Sequence, residues 1–254
     1  MRGSAVPPAA SLGLGQQRWP RLDPGEALLL VPVGSLEQHG PHLPLGTDTM
    51  IASAVTRAVA DRLHASGRPV VVAPALSYGA SGEHEDFPGT ISIGHEALHL
   101  LLVEYARSAC RWAEGVIFVN GHGGNAETVT SAVELLRSEQ RSVAWTSCGV
   151  PGGDAHAGRT ETSVLRCIAP WAVQVELAVA GATDSVVDLM PRLRAEGVRA
   201  VSPTGVLGDA TVATVEEGRE VFAAVVTRVA RELRCIDVDG HGRLRAPGDV
   251  AASR

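Results

Sequence analysis

The sequence predicts a three-layer α/β domain with a largely parallel sheet, and three observations carry that reading. Short apolar runs alternate with helical stretches of ten to twenty residues, which is the rhythm of strand and crossover helix. The apolar runs lack polar alternation, as strands buried on both faces do. At 45% hydrophobic and 20% charged residues, the 254-residue chain can bury a substantial core.

Taken in order, residues 27–33 are an apolar run too short for a free helix and stopped by Gly34, so they form a buried strand. Helical periodicity follows over 48–66, a second strand over 69–73, and a long helix over 94–113. Residues 115–120 (GVIFVN) are the clearest strand, followed by a helix over 127–138 and an extended segment over 142–147. Residues 158–168 are helical, a Pro- and Gly-interrupted region comes next, and a last helix spans about 214–233. Residues 1–23 read as a flexible tail, 24–240 as one domain, and 241–254 as a frayed end, with no repeat or linker.

All 22 basic residues are arginine, which excludes lysine Schiff-base chemistry and the lysine-bearing phosphate loop. A formal charge of −6 with scattered arginines offers no basic stripe for a nucleic acid or an anionic membrane. No run of 18 apolar residues and no signal-peptide pattern occurs. The cysteines Cys110, Cys148, Cys167 and Cys235 are far apart and read as reduced, mostly buried thiols of a cytoplasmic protein.

Ligands of open α/β sheets bind beyond the carboxyl ends of the strands, and three such segments are unusual. After the first strand, Glu37 and His39 stand two apart, on one side of an extended backbone, and Asp48 opens the next helix. After GVIFVN comes Asn120-Gly-His122-Gly-Gly-Asn125, a histidine on a tight glycine turn. The third segment is DAHAGRTETS, where Glu161 falls in the first turn of a helix. Two carboxylates with an imidazole suit a divalent metal, and the five candidates Glu37, His39, Asp48, His122 and Glu161 suffice for two ions if one carboxylate bridges. Taken singly, Asp48 could be a helix cap and His122 a hydrogen-bonded loop residue. The glycine turn lacks the GxGxxG spacing of a dinucleotide site.

The ordered segments EQHGPHLPLGTD, SGEHEDFPGTIS, NGHGGN and DAHAGRTETS resemble the creatininase family of dinuclear metal amidohydrolases over about residues 24–238. The resemblance implies a three-layer α/β/α fold, a homo-oligomer and two divalent metals at the strand ends, zinc, iron or manganese. It implies Glu37, His39, Asp48 and His122 as ligands, with Asp48 bridging. Where creatininase proper has a ligating Glu, this chain has Gly124, so Glu161 is expected to complete the second site. Where creatininase covers its substrate with Trp, this chain has Gly152, which argues against creatinine.

The HAGRTETS form is most similar to a peptidase branch that trims a short modified precursor peptide near its C-terminus during maturation of a redox cofactor. The expected reaction is amide hydrolysis by water activated between the metals, with His156 donating a proton to the leaving nitrogen or holding the oxyanion. Arg159 is expected to grip a peptide C-terminal carboxylate, or else to form a salt bridge with Glu161 or Asp154. Ser81, Glu83, His84 and Phe87 are expected to form a pocket wall or to support the metal ligands from behind, Asn120 and Asn125 to contact substrate, and His42 to orient Glu37 or His39. His64, His95, His99 and His241 read as surface or packing residues. Two other readings stay open: an amide or formamide hydrolase of a small heterocycle, and a non-catalytic nucleotide- or metabolite-binding module.

Overall fold

Four parallel strands form the central sheet of the computed structural model, which describes residues 12–246. In chain order the elements are β1 (Leu28–Val33), α1 (Thr47–Ala65), β2 (Val70–Val72), α2 (Gly94–Ala109), β3 (Gly115–Asn120), α3 (Ala126–Ser138), β4 (Val143–Ser147), α4 (Arg159–Ile168), α5 (Val186–Val201) and α6 (Val215–Cys235). The strands lie in the order β2-β1-β3-β4. Alternate residues of β1 face opposite cores. Leu28 and Leu30 pack with α1, α4 and α6, whereas Leu29, Val31 and Val33 pack with α2 and α3. This is the expected α/β/α sandwich, and both sheet faces are covered because every parallel strand needs a crossover helix.

The topology places a crevice. The chain leaves β1 for α1 on one face and leaves β3 for α3 on the other, although β1 and β3 are neighbours in register from Leu28↔Gly115 to Val33↔Asn120. Diverging connections open a gap at their carboxyl ends. The segments after β1, β3 and β4 all border it.

The structure differs from the sequence reading in four places. The Pro- and Gly-interrupted region contains α5, which carries Pro191 and is broken at Gly197 (φ 76°). It packs Leu189, Leu193 and Val198 on Leu207 in a small core of its own. The α2 helix ends at Ala109, not 113, because a tight turn carries the apolar pattern on to the buried Ala113. Both supposed tails are tied to the sheet edges: Gly13 bridges Val72, and Arg243 bridges Trp145 with its guanidinium 5.2 Å from the ring centre. Residues 1–11 and 247–254 of those tails lie outside the described residues. Of the four thiols only Cys148 is buried. Among the described residues no helix is long and apolar enough to cross a membrane.

Gly218 fixes how closely α6 approaches α4. A Cβ there would run into the Ser163 carbonyl oxygen. Overpacking against backbone forces the helices apart, so Gly218→Ala is expected to cost about 1–3 kcal/mol. A denaturant midpoint lowered with an unchanged slope would show it; an unchanged midpoint would mean that α4 and α6 slide freely.

Candidate active site

The segment after β1 lays Glu37, Gln38 and His39 across the crevice. Gly34 starts it, where a Cβ would strike Thr49 at the start of α1. Backbone bonds from Glu37 N to Leu45 O and from Ile91 N to Leu36 O hold it, with Gln38 N donating to Thr90 Oγ1 at 3.1 Å. The FPGT segment therefore acts as a brace. At the far wall, Asp154 caps α4 by accepting from the backbone N–H groups of Arg159 and Thr160. That cap sets the first turn of α4, from which Glu161 accepts a 2.6 Å bond from Ala157 N.

The five residues expected to bind metal converge. Asp48 stands at the centre: one carboxylate oxygen is 3.1 Å from His39 Nε2 and the other 3.4 Å from His122 Nδ1. Glu37 Oε1 is 3.1 Å from His122 Nδ1, and Glu161 Oε2 is 3.9 Å from His39 Nε2. The ligand atoms of Glu37, Asp48 and His122 lie within 4.8 Å of one another, as do those of His39, Asp48 and Glu161. The two triads share only Asp48. Glu37, His39 and His156 form a third such group.

The donor set passes a physical test for cations. Both Glu37 carboxylate oxygens and Asp48 Oδ2 are buried without a hydrogen bond. Buried carboxylate oxygens are costly unless paired or coordinated, so such a concentration fits divalent metal far better than a structural core.

The electrostatics point the same way. Burial alone would lower His39, but the Asp48 carboxylate, with Glu161 and Glu37 beyond it, raises it to about 9. Burial likewise opposes protonation of His122, yet Glu37, Asp48 and Glu83 hold it well above the ordinary histidine range. Burial would raise Asp48, and the two imidazoles outweigh it and lower it. Burial raises Glu161 to about 7. Without metal the site thus keeps protons on His39 and His122, and a metal must displace them. Metal affinity is expected to strengthen as pH rises from 6 towards 9, with protons released from His39 and His122, and from Glu161 below about pH 7. Chelator competition at several pH values measures this; a pH-independent affinity would exclude these histidines as ligands.

Around the triads sit residues that orient them. Gln38 was not singled out by sequence, yet its Nε2 is 2.9 Å from His84 Nδ1 and 3.1 Å from Gly205 O, while its Oε1 accepts from Gly40 N. With the amide donating to Nδ1, the His84 proton belongs on Nε2, 3.3 Å from Glu37 Oε1. Its signal lay in the motif itself, as the residue between two ligands. His156 places Nε2 2.7 Å from Gln38 O, and burial beside the His39 and His84 rings lowers it well below the ordinary range.

Glu83 reaches the cluster from the segment after β2, its Oε1 3.4 Å from His122 Nε2. It also explains Gly124. A Cβ at 124 would collide with the His122 ring and the Glu83 carboxylate. The space that a side chain at 124 needs is already filled by an acid from another loop.

Other expectations are corrected. Asn120 and Asn125 spend their amides on the protein: Asn125 donates to Gly34 O and Asn120 Oδ1 and accepts from Ala80 N, and Asn120 donates to His122 O. Those bonds fix the turn. Phe87 packs against the α5 core with Arg199 over its ring, 5.3 Å from the centre. His42 makes no hydrogen bond to Glu37 or His39; its Nε2 is 2.7 Å from Thr162 Oγ1. Arg159 does not join the cluster either, since its half-exposed side chain pairs with Glu217 of α6 at 2.9 Å, not with Glu161 or Asp154. His95 pairs with Thr128 and His241 with Glu134, away from the site. Carboxylates crowd the glycine turn, which disfavours a phosphate-bearing nucleotide there.

Comparison with known proteins agrees with this geometry. A family model described as creatininase, creatinine amidohydrolase, matches residues 16–233. The mycofactocin precursor peptide peptidase of Mycolicibacterium smegmatis is 53% identical over 91% of this chain and 94% of its own. The creatinine amidohydrolase of Pseudomonas putida is 28% identical over 88% of this chain and 96% of its own. Among solved structures, a creatininase described with manganese superposes with a TM-score of 0.74 at 27% identity, covering 88% of this chain and 98% of that one. With a buried carboxylate and histidine cluster at the expected strand ends and a matching model over most of its length, the chain belongs to the creatininase family.

Proposed function

We propose that the protein is a metal-dependent peptidase that cleaves a modified precursor peptide near its C-terminus in mycofactocin maturation. The observation that carries the chemistry is the pair of triads sharing Asp48. The substrate class rests on the 53% identity to a mycofactocin precursor peptide peptidase, nearly twice that to the creatinine amidohydrolase. Solved relatives described with manganese and as of Zn-Zn type support zinc or manganese for the pair of divalent ions, with iron the third candidate.

Glu37, Asp48 and His122 would hold one ion and His39, Asp48 and Glu161 the other. When bound, the pair supplies Lewis-acid polarisation of the amide carbonyl and lowers the pKa of water. His84 lies against Glu37, with Nε2 3.3 Å from Oε1, and Gln38 fixes the His84 ring. His156, kept neutral by burial with its Nε2–H on the Gln38 carbonyl, would first take the proton of the attacking water on Nδ1 and then donate it to the leaving nitrogen, or hold the developing oxyanion while it carries that proton. Residues 24–240 act as one catalytic domain, in a cytoplasmic homo-oligomer. The four unpaired cysteines fit a reducing compartment, and the exposed Trp19 and Trp171 fit contact with another copy.

The direct test is mass spectrometry of the modified precursor peptide before and after incubation with metal-loaded protein. Loss of a C-terminal fragment is expected. An intact peptide together with turnover of a formamidopyrimidine would overturn the reading in favour of a small-molecule amidohydrolase.

A further inference from the structure

A cavity of about 170 Å³ opens beside the metal-binding cluster and runs down between α1, α4 and α6. Its walls are Ile51, Val55, Val164, Val221, Phe222 and Val225. None of these takes part in the chemistry described above. At its mouth Glu161 lines both the cavity and the His39–Asp48 triad, so the apolar hollow begins where the reacting amide must sit.

Two features fit it to a peptide. The rim on the β3 side is Gly121 and Gly123, and a Cβ at Gly123 would meet nothing within 4 Å, which leaves open space for a main chain to approach. The charged residues of the lining are Asp154, whose carboxylate is taken up by the backbone N–H groups of Arg159 and Thr160, and Glu161 at the mouth; the deep walls between the helices are apolar. Cys148 lines the cavity too, and burial pushes its thiol up to about 12, so it serves as an apolar wall and not as a nucleophile. A dry cavity of about 150 Å³ is large enough for benzene, which sets the scale of one branched aliphatic or phenyl-sized group.

Resting on the peptidase reading, we infer that this cavity is the specificity pocket for one uncharged apolar side chain flanking the scissile amide. Its filling positions the amide over Glu161 and Asp48. A hydrophobic pocket of this kind discriminates about 10- to 200-fold for small differences in apolar size.

Two measurements on the metal-loaded protein test it. The first is saturation-transfer NMR with toluene as probe, on the parent and on Val221→Phe, which fills the cavity from its half-buried edge; Val225→Phe is the second variant should the first fold poorly. Binding to the parent and its loss in the variant are expected. The second is kcat/KM for peptide pairs carrying Val or Gly on either side of the cleaved bond. The parent should favour Val by about tenfold or more, and the filled variant should bring the ratio close to one. Peptides cut with the same ratio by parent and variant would overturn the pocket and leave the peptidase intact. Toluene binding that the variant abolishes, with no peptide cleaved, would support the pocket and overturn the peptidase. Toluene failing to bind the parent would likewise count against the pocket.

Discussion

Asp48→Ala is expected to lose metal from both halves of the site at once, and activity with it. Its two oxygens face different histidines, 3.1 Å from His39 and 3.4 Å from His122, and it alone belongs to both Asp48-centred triads. Glu161→Gln, by contrast, should empty one half and spare Glu37, Asp48 and His122. Lewis-acid stabilisation by such ions is worth several kcal/mol, so activity of Asp48→Ala should fall by about 10³-fold or more. Elemental analysis of the purified variants gives the count per chain. If Asp48→Ala keeps the parent's metal content, the bridge is wrong; if Glu161→Gln loses both ions, the two halves are not separable.

Much of this site was legible before the fold, for a physical reason. Strand-end segments are short, so Glu37, His39, His122 and Asp48 are tied by a few residues to β1, β3 and the start of α1, and the parallel sheet brings them together. Asp48 and Glu161 were readable as first-turn residues because helix starts are well marked. Residues that act through contact across long loops were not. Gln38 could not be singled out because its partners, His84 and Gly205, come from distant parts of the chain. Asn120 and Asn125 read as substrate contacts because polar residues beside a glycine turn suit either role, and only the folded chain shows the bonds by which their amides hold the turn. Arg159 was placed by its neighbours in sequence, but it sits on the outer side of the first turn of α4, where α6 supplies Glu217. The helix α5 escaped because Pro191 and Gly197 are breakers whose cost the Leu189, Leu193 and Val198 contacts offset.

His156→Ala should separate chemistry from metal binding. In this variant we expect the parent's metal content and a loss of about 10² to 10⁴ in kcat, the range for a well-placed proton donor. The argument turns on which ring nitrogen carries the proton. Nε2 lies 2.7 Å from the Gln38 carbonyl, so it is the donor nitrogen, and Nδ1, 3.7 Å from Glu37 Oε1, carries the lone pair. A lone pair aimed at the carboxylates could ligate, and Glu37, His39 and His156 do form a compact group. Against ligation stands the economy of the other two triads, which use each of their five residues without His156. The outcomes differ cleanly. A ligand lost would lower metal content and activity together, and added metal would restore part of the rate. A donor lost would leave the metal content unchanged, and excess metal would not help. The pH profile adds a further distinction. Burial holds His156 neutral across the working range, so its removal should lower the rate about equally at pH 6 and pH 8. A loss that grows steeply towards low pH would instead mean that protons are competing with metal for the remaining histidines, and His156 would then belong among the ligands.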